Sequence, residues 1–249
     1  MSFQKTYLIL GASSDLGLEL IQQLNQSEEN VLFLAHYNSC SEKIMSIGMD
    51  KGNELKALRC DLANPEGVEN LISEIRAIAD APTHIVHLAA PSFLYTKLKD
   101  FDGARFFRSM QIQVVSFLSI VRAFLPVMIK RKEHDKIVAV LSSVTEGKPP
   151  RQLLEYTAVK HALWGAVKSL ASDTEGKMLN VNAVSPSMID TKFLDGIDSR
   201  IVQMNAEASP EGRIAGVGDI VPAIRFLLSS GADYLHGVNM NVSNGSVFG

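Results

Sequence analysis

Thr6-Tyr7-Leu8-Ile9-Leu10-Gly11-Ala12-Ser13-Ser14-Asp15-Leu16-Gly17 is the stretch that decides the architecture. Residues 6–10 form an apolar run of strand length, and an amphipathic helical pattern runs from Leu16 to Asn25. A strand, a glycine turn and a helix N-terminus in succession make an anion site, because backbone N–H groups and the positive end of the helix dipole converge there. Gly11 permits the tight turn and Gly17 permits close packing of helix on strand, as a loop for a dinucleotide pyrophosphate requires. Gly11, Ser13, Ser14, Asp15, Leu16 and Gly17 are the candidate contacts. A plainer role stays open for this loop alone: Gly11 ends a strand, and Ser13 or Ser14 caps a helix.

The same alternation continues along the chain. Short runs rich in Val, Ile and Leu lie at 6–10, 31–35, 55–60, 84–89, 136–142, 180–184 and 238–242. They lack strict polar–apolar alternation, which fits strands covered on both faces of a parallel sheet. Helical patterns fill 16–25, 65–80, 104–132, 153–175 and 219–229. Strand then helix, repeated, predicts an α/β fold: three layers, Rossmann-like and doubly wound, on a seven-stranded parallel sheet with right-handed crossovers. No linker or internal repeat divides residues 1–249, so one dinucleotide-binding domain is expected. Residues 187–218 have poor periodicity and hold Gly196, Pro210, Gly212, Gly216 and Gly218, which reads as a substrate lid.

Composition removes several classes. A net charge of −3 offers no broad basic footprint for nucleic acid. No membrane span or signal peptide is expected, nor is a metal site. Cys40 and Cys60 are far apart, and Cys60 ends an apolar run, so free thiols and a cytoplasmic location are expected.

Three residues carry the chemistry. Tyr156 and Lys160 stand at i and i+4 on one helix face, and Ser143 lies thirteen residues before the tyrosine. An ammonium near a phenol favours the phenolate, which brings its pKa down from about 10 toward working pH. Such a phenol exchanges a proton with a carbonyl or alcohol oxygen, and a serine hydroxyl holds that oxygen. A lone Tyr-x-x-x-Lys also occurs by chance on exposed helices. Asp61, in Cys60-Asp61-Leu62, either accepts from an adenine amino group or serves as a turn aspartate before Pro65. Ala89 and Ala90 either leave room for a ribose or simply pack tightly. After the second strand the chain reads Ala35-His36-Tyr37-Asn38, with no carboxylate for a ribose 2′-hydroxyl. His36, Asn38, Ser39 and Ser14 are able to hydrogen-bond a 2′-phosphate, which favours NADP(H) over NAD(H). His36 reads otherwise as an exposed loop histidine.

Taken in order, Gly11-x-x-x-Asp15-x-Gly17, Asp61, Ser143, Tyr156-x-x-x-Lys160, Pro186 and Thr191 resemble the short-chain dehydrogenase/reductase family over nearly the whole chain. The 3-oxoacyl-[acyl-carrier-protein] reductase and ketoreductase type is the most similar branch. The resemblance implies that Tyr156 is the acid in carbonyl reduction, that Lys160 tunes it and holds the nicotinamide ribose, and that Ser143 orients the substrate. It places Pro186, Ile189 and Thr191 beside the nicotinamide and its phosphate, and the catalytic asparagine of the family on Gln113. The chain departs from the pattern at Asp15 in place of a glycine and at Ala89-Ala90-Pro91 in place of Asn-Ala-Gly.

The expected function is NADP(H)-dependent reduction of a ketone, 3-oxoacyl or polyketide-like, to a secondary alcohol. Met188, Phe193, Leu194, Ile197, Ile201 and Met204 would give the lid an apolar inner face. Arg213 or Lys192 would meet a carrier phosphate or remain a surface charge. The alternative is a dinucleotide-binding scaffold with little catalysis, motivated by Asp15, Pro91 and Gln113. A nucleotide-sugar epimerase or dehydratase would need a longer substrate segment. Apolar residues on the 104–132 and 153–175 helices point to a homo-oligomer, a dimer or tetramer.

Overall fold

The computed structural model describes residues 3–247. Seven strands form one parallel sheet: β1 (Lys5–Leu10), β2 (Val31–Tyr37), β3 (Glu54–Arg59), β4 (His84–His87), β5 (Asp135–Val140), β6 (Leu179–Pro186) and β7 (Asn239–Val242). Their order across the sheet is β3-β2-β1-β4-β5-β6-β7. The chain therefore walks outward from β1 in one direction, returns, and builds outward from β4 in the other. The reversal between β1 and β4 splays the connections that leave these two strands and opens a crevice at their carboxyl ends.

Helices cover both faces. One face carries α1 (Asp15–Ser27) and α8 (Val217–Leu228), with Leu20, Ile21, Leu24, Ile220, Val221 and Ile224 packed on Tyr7, Ile9, Phe33 and Val138. The other carries α3 (Pro65–Ile78), α5 (Ser116–Met128) and α6 (Leu154–Asp173). There Ile72, Phe117, Phe124, Leu163 and Val167 bury against Leu8, Leu34, Ile85 and Ile137. Burial on both faces is the reason the strands read as continuous apolar runs.

The expected strands and helices are all present, with shifted ends. β4 stops at His87, so Ala89 and Ala90 lie in the loop beyond it. The 104–132 pattern is a continuous helical run, Gly103–Met128. It comprises α4 (Gly103–Met110), a π-helical turn (Gln111–Val115) and α5. Contrary to expectation, this run is long and apolar enough on length and composition to cross a membrane. Its apolar face lies instead in the protein core, with Phe117, Ile120, Val121, Phe124 and Met128 buried. Residues 187–216 are not a structureless excursion: Lys192–Leu194 form a 3-10 turn and α7 spans Ser199–Ala208. α7 buries no residue, and the glycines and Pro210 that surround it disguise its helical spacing.

Gly17 shows how tightly α1 sits on the loop. A Cβ there would meet Ala12 Cα at 2.7 Å and the carbonyl oxygens of Ala12 and Gly11 at 2.8 Å. Gly17→Ala is expected to lower stability by about 1–3 kcal/mol through overpacking against backbone. Urea unfolding measures this, and an unchanged midpoint would contradict the packing.

Candidate active site

Two adjoining cavities occupy the crevice. The larger, about 560 Å³, is lined among others by Ser13, Asp15, Ser142, Ser143, Tyr156, Lys160 and Thr191. The smaller, about 320 Å³, is lined by Gly11, His36, Asn38, Asp61, Leu62, Ala89, Ala90 and Arg108 among others. Pro186 and Ile189 also line the larger cavity. The chain thus gathers nearly all its sequence-predicted residues at one end of the sheet.

The glycine loop leaves β1 through Gly11, which has φ +88°. A Cβ on Gly11 would lie 2.9 Å from Ala89 N, so no side chain fits between the two loops. Ser14 caps α1: its Oγ accepts from Gly17 N at 3.1 Å and donates to Gly11 O at 2.8 Å. No protein acceptor takes the Asp15 and Leu16 N–H groups among the described residues. The Asp15 carboxylate accepts from Lys192 N at 2.9 Å and lies 3.7 Å from Lys43 Nζ.

His36 is not an exposed loop residue. It lies within β2, 3 % exposed. Its Nδ1 accepts from Gly11 N at 3.1 Å and its Nε2 donates to Cys60 O at 3.0 Å. Burial lowers its pKa, so the ring is held neutral. With both nitrogens bound to backbone, His36 has no group left for a 2′-phosphate; it braces the glycine loop instead. Ser14 is committed in the same way. Asn38, Ser39 and Ser13 retain side chains without hydrogen bonds among the described residues. Asp61 accepts from Ala63 N at 3.0 Å and pairs with Arg108 at 3.3 Å.

Tyr156 and Lys160 share one face of α6, with Lys160 Nζ 5.7 Å from the Tyr156 ring centroid. Arg105 on α4 grips Glu155 with two hydrogen bonds of 2.8 and 2.6 Å, which anchors the α6 start. Ser142 and Ser143 both line the cavity beside Tyr156, and the Ser142 hydroxyl pulls the Tyr156 pKa down. Ser143 begins a 3-10 turn and stays at the cavity wall.

Desolvation dominates both titrations. Burial raises Tyr156 to about 12, against the pull of Ser142. Burial lowers Lys160 to about 7, while its Nζ donates to Val140 O at 3.0 Å. The expected lowering of the phenol by the lysine does not arise: burial raises Tyr156, Ser142 lowers it and Tyr95 raises it further. Gln113 sits in the π-helical turn, 1 % exposed. Its Nε2 donates to Ser109 at 2.9 Å, and its backbone carbonyl accepts from His87 Nε2 at 2.9 Å. Gln113 is not among the residues lining either cavity, and its Oε1 is buried without a hydrogen-bond partner among the described residues. His87, which sequence reading passed over, is buried, stacks on Phe117 and is lowered to about 3 by desolvation.

The family model described as enoyl-(acyl carrier protein) reductase matches residues 11–246. An uncharacterized oxidoreductase, YmfI of Bacillus subtilis, is 31% identical over 245 residues, covering 97% of this chain and 98% of that one. The 3-oxoacyl-[acyl-carrier-protein] reductase FabG of Rickettsia prowazekii is 27% identical over 241 residues, covering 97% and 96%. A short-chain type dehydrogenase/reductase of Mycobacterium ulcerans superposes with TM-score 0.85 at 19% identity, covering 99% of this chain and 91% of that one. The chain belongs to the short-chain dehydrogenase/reductase family. It is an oxidoreductase of that family, close to the FabG-type ketoreductases, acting on a carbonyl or CH–OH group with a nicotinamide cofactor.

The loop fits such a cofactor. Gly11 and Gly17 leave the backbone bare where a Cβ would clash, and Asp15 and Leu16 offer unclaimed N–H groups.

Ser142→Ala removes a hydrogen bond that favours the phenolate, so the Tyr156 pKa is expected to rise further. In alcohol oxidation, where the phenolate is the base, the rising limb of the pH–rate profile should move to higher pH. Ser143→Ala should lower kcat about a hundredfold by releasing the substrate oxygen, with the pH profile unmoved. Full activity in Ser143→Ala would remove that serine from the site.

Proposed function

We propose that this chain is an NADP(H)-dependent ketoreductase that turns a 3-oxoacyl or polyketide-like ketone into a secondary alcohol. The observation that carries the reading is a phenol, a serine hydroxyl and a lysine in one cavity with the glycine loop. A bound nicotinamide supplies the hydride. Gly11, Ser13, Asp15, Leu16 and Gly17 would hold the pyrophosphate end, and Asp61, Leu62, Ala89 and Ala90 the adenosine end. Pro186, Ile189 and Thr191 would border the nicotinamide.

Ser143, in the wall of that cavity, would hold the substrate carbonyl oxygen by a hydrogen bond, while Ser142 acts on the phenol. Tyr156, protonated up to about pH 12, gives its O–H proton to that oxygen as negative charge develops there. Lys160, at about 7, is partly charged at neutral pH and stabilises the phenolate that Tyr156 leaves behind. A phenol raised this far stays protonated at neutral pH, the form that carbonyl reduction uses.

Phe93 supports an apolar substrate: its ring lies 4.6 Å from Tyr156 and 5.3 Å from Phe193. Met188 and Leu194 line the same cavity, whereas Met204 is exposed and Asn205 takes its place. The 187–216 segment acts as the lid. Arg213 is spent on Asp219 at 2.6 Å and Glu211 at 2.9 Å, so it does not meet a carrier phosphate. Unclaimed Asn38, Ser39 and Ser13, and the lack of a carboxylate after β2, support NADP(H). Asp15 in the glycine loop favours the second reading, a dinucleotide-binding scaffold with little turnover.

The proposal expects Tyr156→Phe to lower turnover at least about a thousandfold with NADPH affinity kept within about threefold. Full activity in that variant would end it, and tight NADPH binding without oxidation across a varied ketone panel would favour the scaffold. Asn38→Asp should weaken NADPH at least about tenfold and spare NADH, read by nicotinamide fluorescence. Phe107, Val115, Leu118 and Leu154 stay exposed on α4 to α6, which supports a homo-oligomer. Sedimentation at micromolar concentration should give a dimer or tetramer in the cytoplasmic, reducing conditions the free thiols suit, and a monomer would contradict it.

A further inference from the structure

The two cavities share Phe193, Ser13, Ser14, Leu88 and Ala90 in their walls. A dinucleotide with its adenosine in the smaller and its nicotinamide in the larger has to pass this junction. Two contacts close it. The Asp15 carboxylate, 28 % exposed, reaches from the first turn of α1 to Lys192 N, at the start of the 3-10 turn of the lid. One residue on, Phe193 packs on Phe93, which packs on Tyr156. Asp15 thus ties the lid to the glycine loop by a hydrogen bond a phosphate oxygen would also accept.

We propose that Asp15 is a positioning residue that sets cofactor affinity: its carboxylate holds the lid through Lys192 N–H, and a pyrophosphate binds by displacing it. The inference rests on the dinucleotide reading above. Binding is then an exchange of anions. The incoming pyrophosphate takes the Lys192 N–H and the unclaimed Asp15 and Leu16 N–H groups, while the carboxylate turns outward to Lys43, already 3.7 Å away. Like charges in the loop oppose the exchange, so the chain binds its cofactor more weakly than a glycine at position 15 would allow. Phe193 must leave Phe93 in the same step, which uncovers the Tyr156 ring.

NADPH titration by nicotinamide fluorescence tests the exchange in the full chain. Asp15→Asn removes the charge and keeps an acceptor for Lys192 N–H; Asp15→Gly removes both. Each should bind NADPH roughly tenfold tighter than the parent. Hydrogen exchange at the Lys192 amide, measured without nucleotide, should be slow in the parent and in Asp15→Asn and fast in Asp15→Gly. Phe193→Ala should raise the NADPH association rate. Affinities of both Asp15 variants within twofold of the parent, or weaker, overturn the exchange and leave the dinucleotide reading standing. Unchanged Lys192 exchange in Asp15→Gly overturns the tie itself. No binding of either nicotinamide by parent and variants alike overturns both the exchange and the reading it rests on.

Discussion

The close approach of Gly11 to Ala89 is the constraint on which the rest depends. β1 and β4 are neighbours in the sheet, yet their chains depart to opposite faces. The two departing backbones remain so near that a methyl group on Gly11 would collide with Ala89 N. Glycine tolerates both that contact and the positive φ, and the loop turns away into α1 with the Asp15 and Leu16 N–H groups unclaimed among the described residues. His36 fixes this turn from the side, taking Gly11 N on one ring nitrogen and giving a proton to Cys60 O from the other. One buried imidazole thereby joins the ends of β1, β2 and β3.

On the other side of the crevice, the reacting groups are tuned by dehydration more than by one another. Tyr156 goes up and Lys160 comes down, so each is pushed toward its uncharged form. Ser142 supplies the opposing pull on the phenol. This balance suits a group that must part with a proton only when a negative oxygen appears beside it. The Arg105–Glu155 pair, by fixing the start of α6, decides where that oxygen has to be.

The sheet and helices were legible because burial imprints period and composition on the chain. Val68, Leu71, Ile72 and Ile75 repeat at helical spacing, and β1 reads as an unbroken apolar run. Tyr156 and Lys160 were legible because four residues on a helix fix a geometry. The pull of Ser142 on the phenol was not, because the loop before α6 imposes no such rule. His36 was misread because a polar residue at a strand end looks solvent-facing until its backbone partners are placed. α7 was missed because it buries no residue in the core and the glycines and Pro210 around it read as loop. The position of Gln113 along the chain was legible, but its orientation depends on the helix around it.

That orientation comes from the π-helical turn at Gln111–Val115. Such a turn holds one residue more than the α-helix it interrupts, and each residue advances a helix by about 100°. The helical segments on either side are therefore out of phase, as though the bundle had been cut, rotated and rejoined. Remove one residue there and the rod would become regular, swinging Arg105 off Glu155 and Arg108 off Asp61 together. A single supernumerary amino acid acts as a gear tooth, meshing the cofactor crevice and the proton-donor helix to the same shaft.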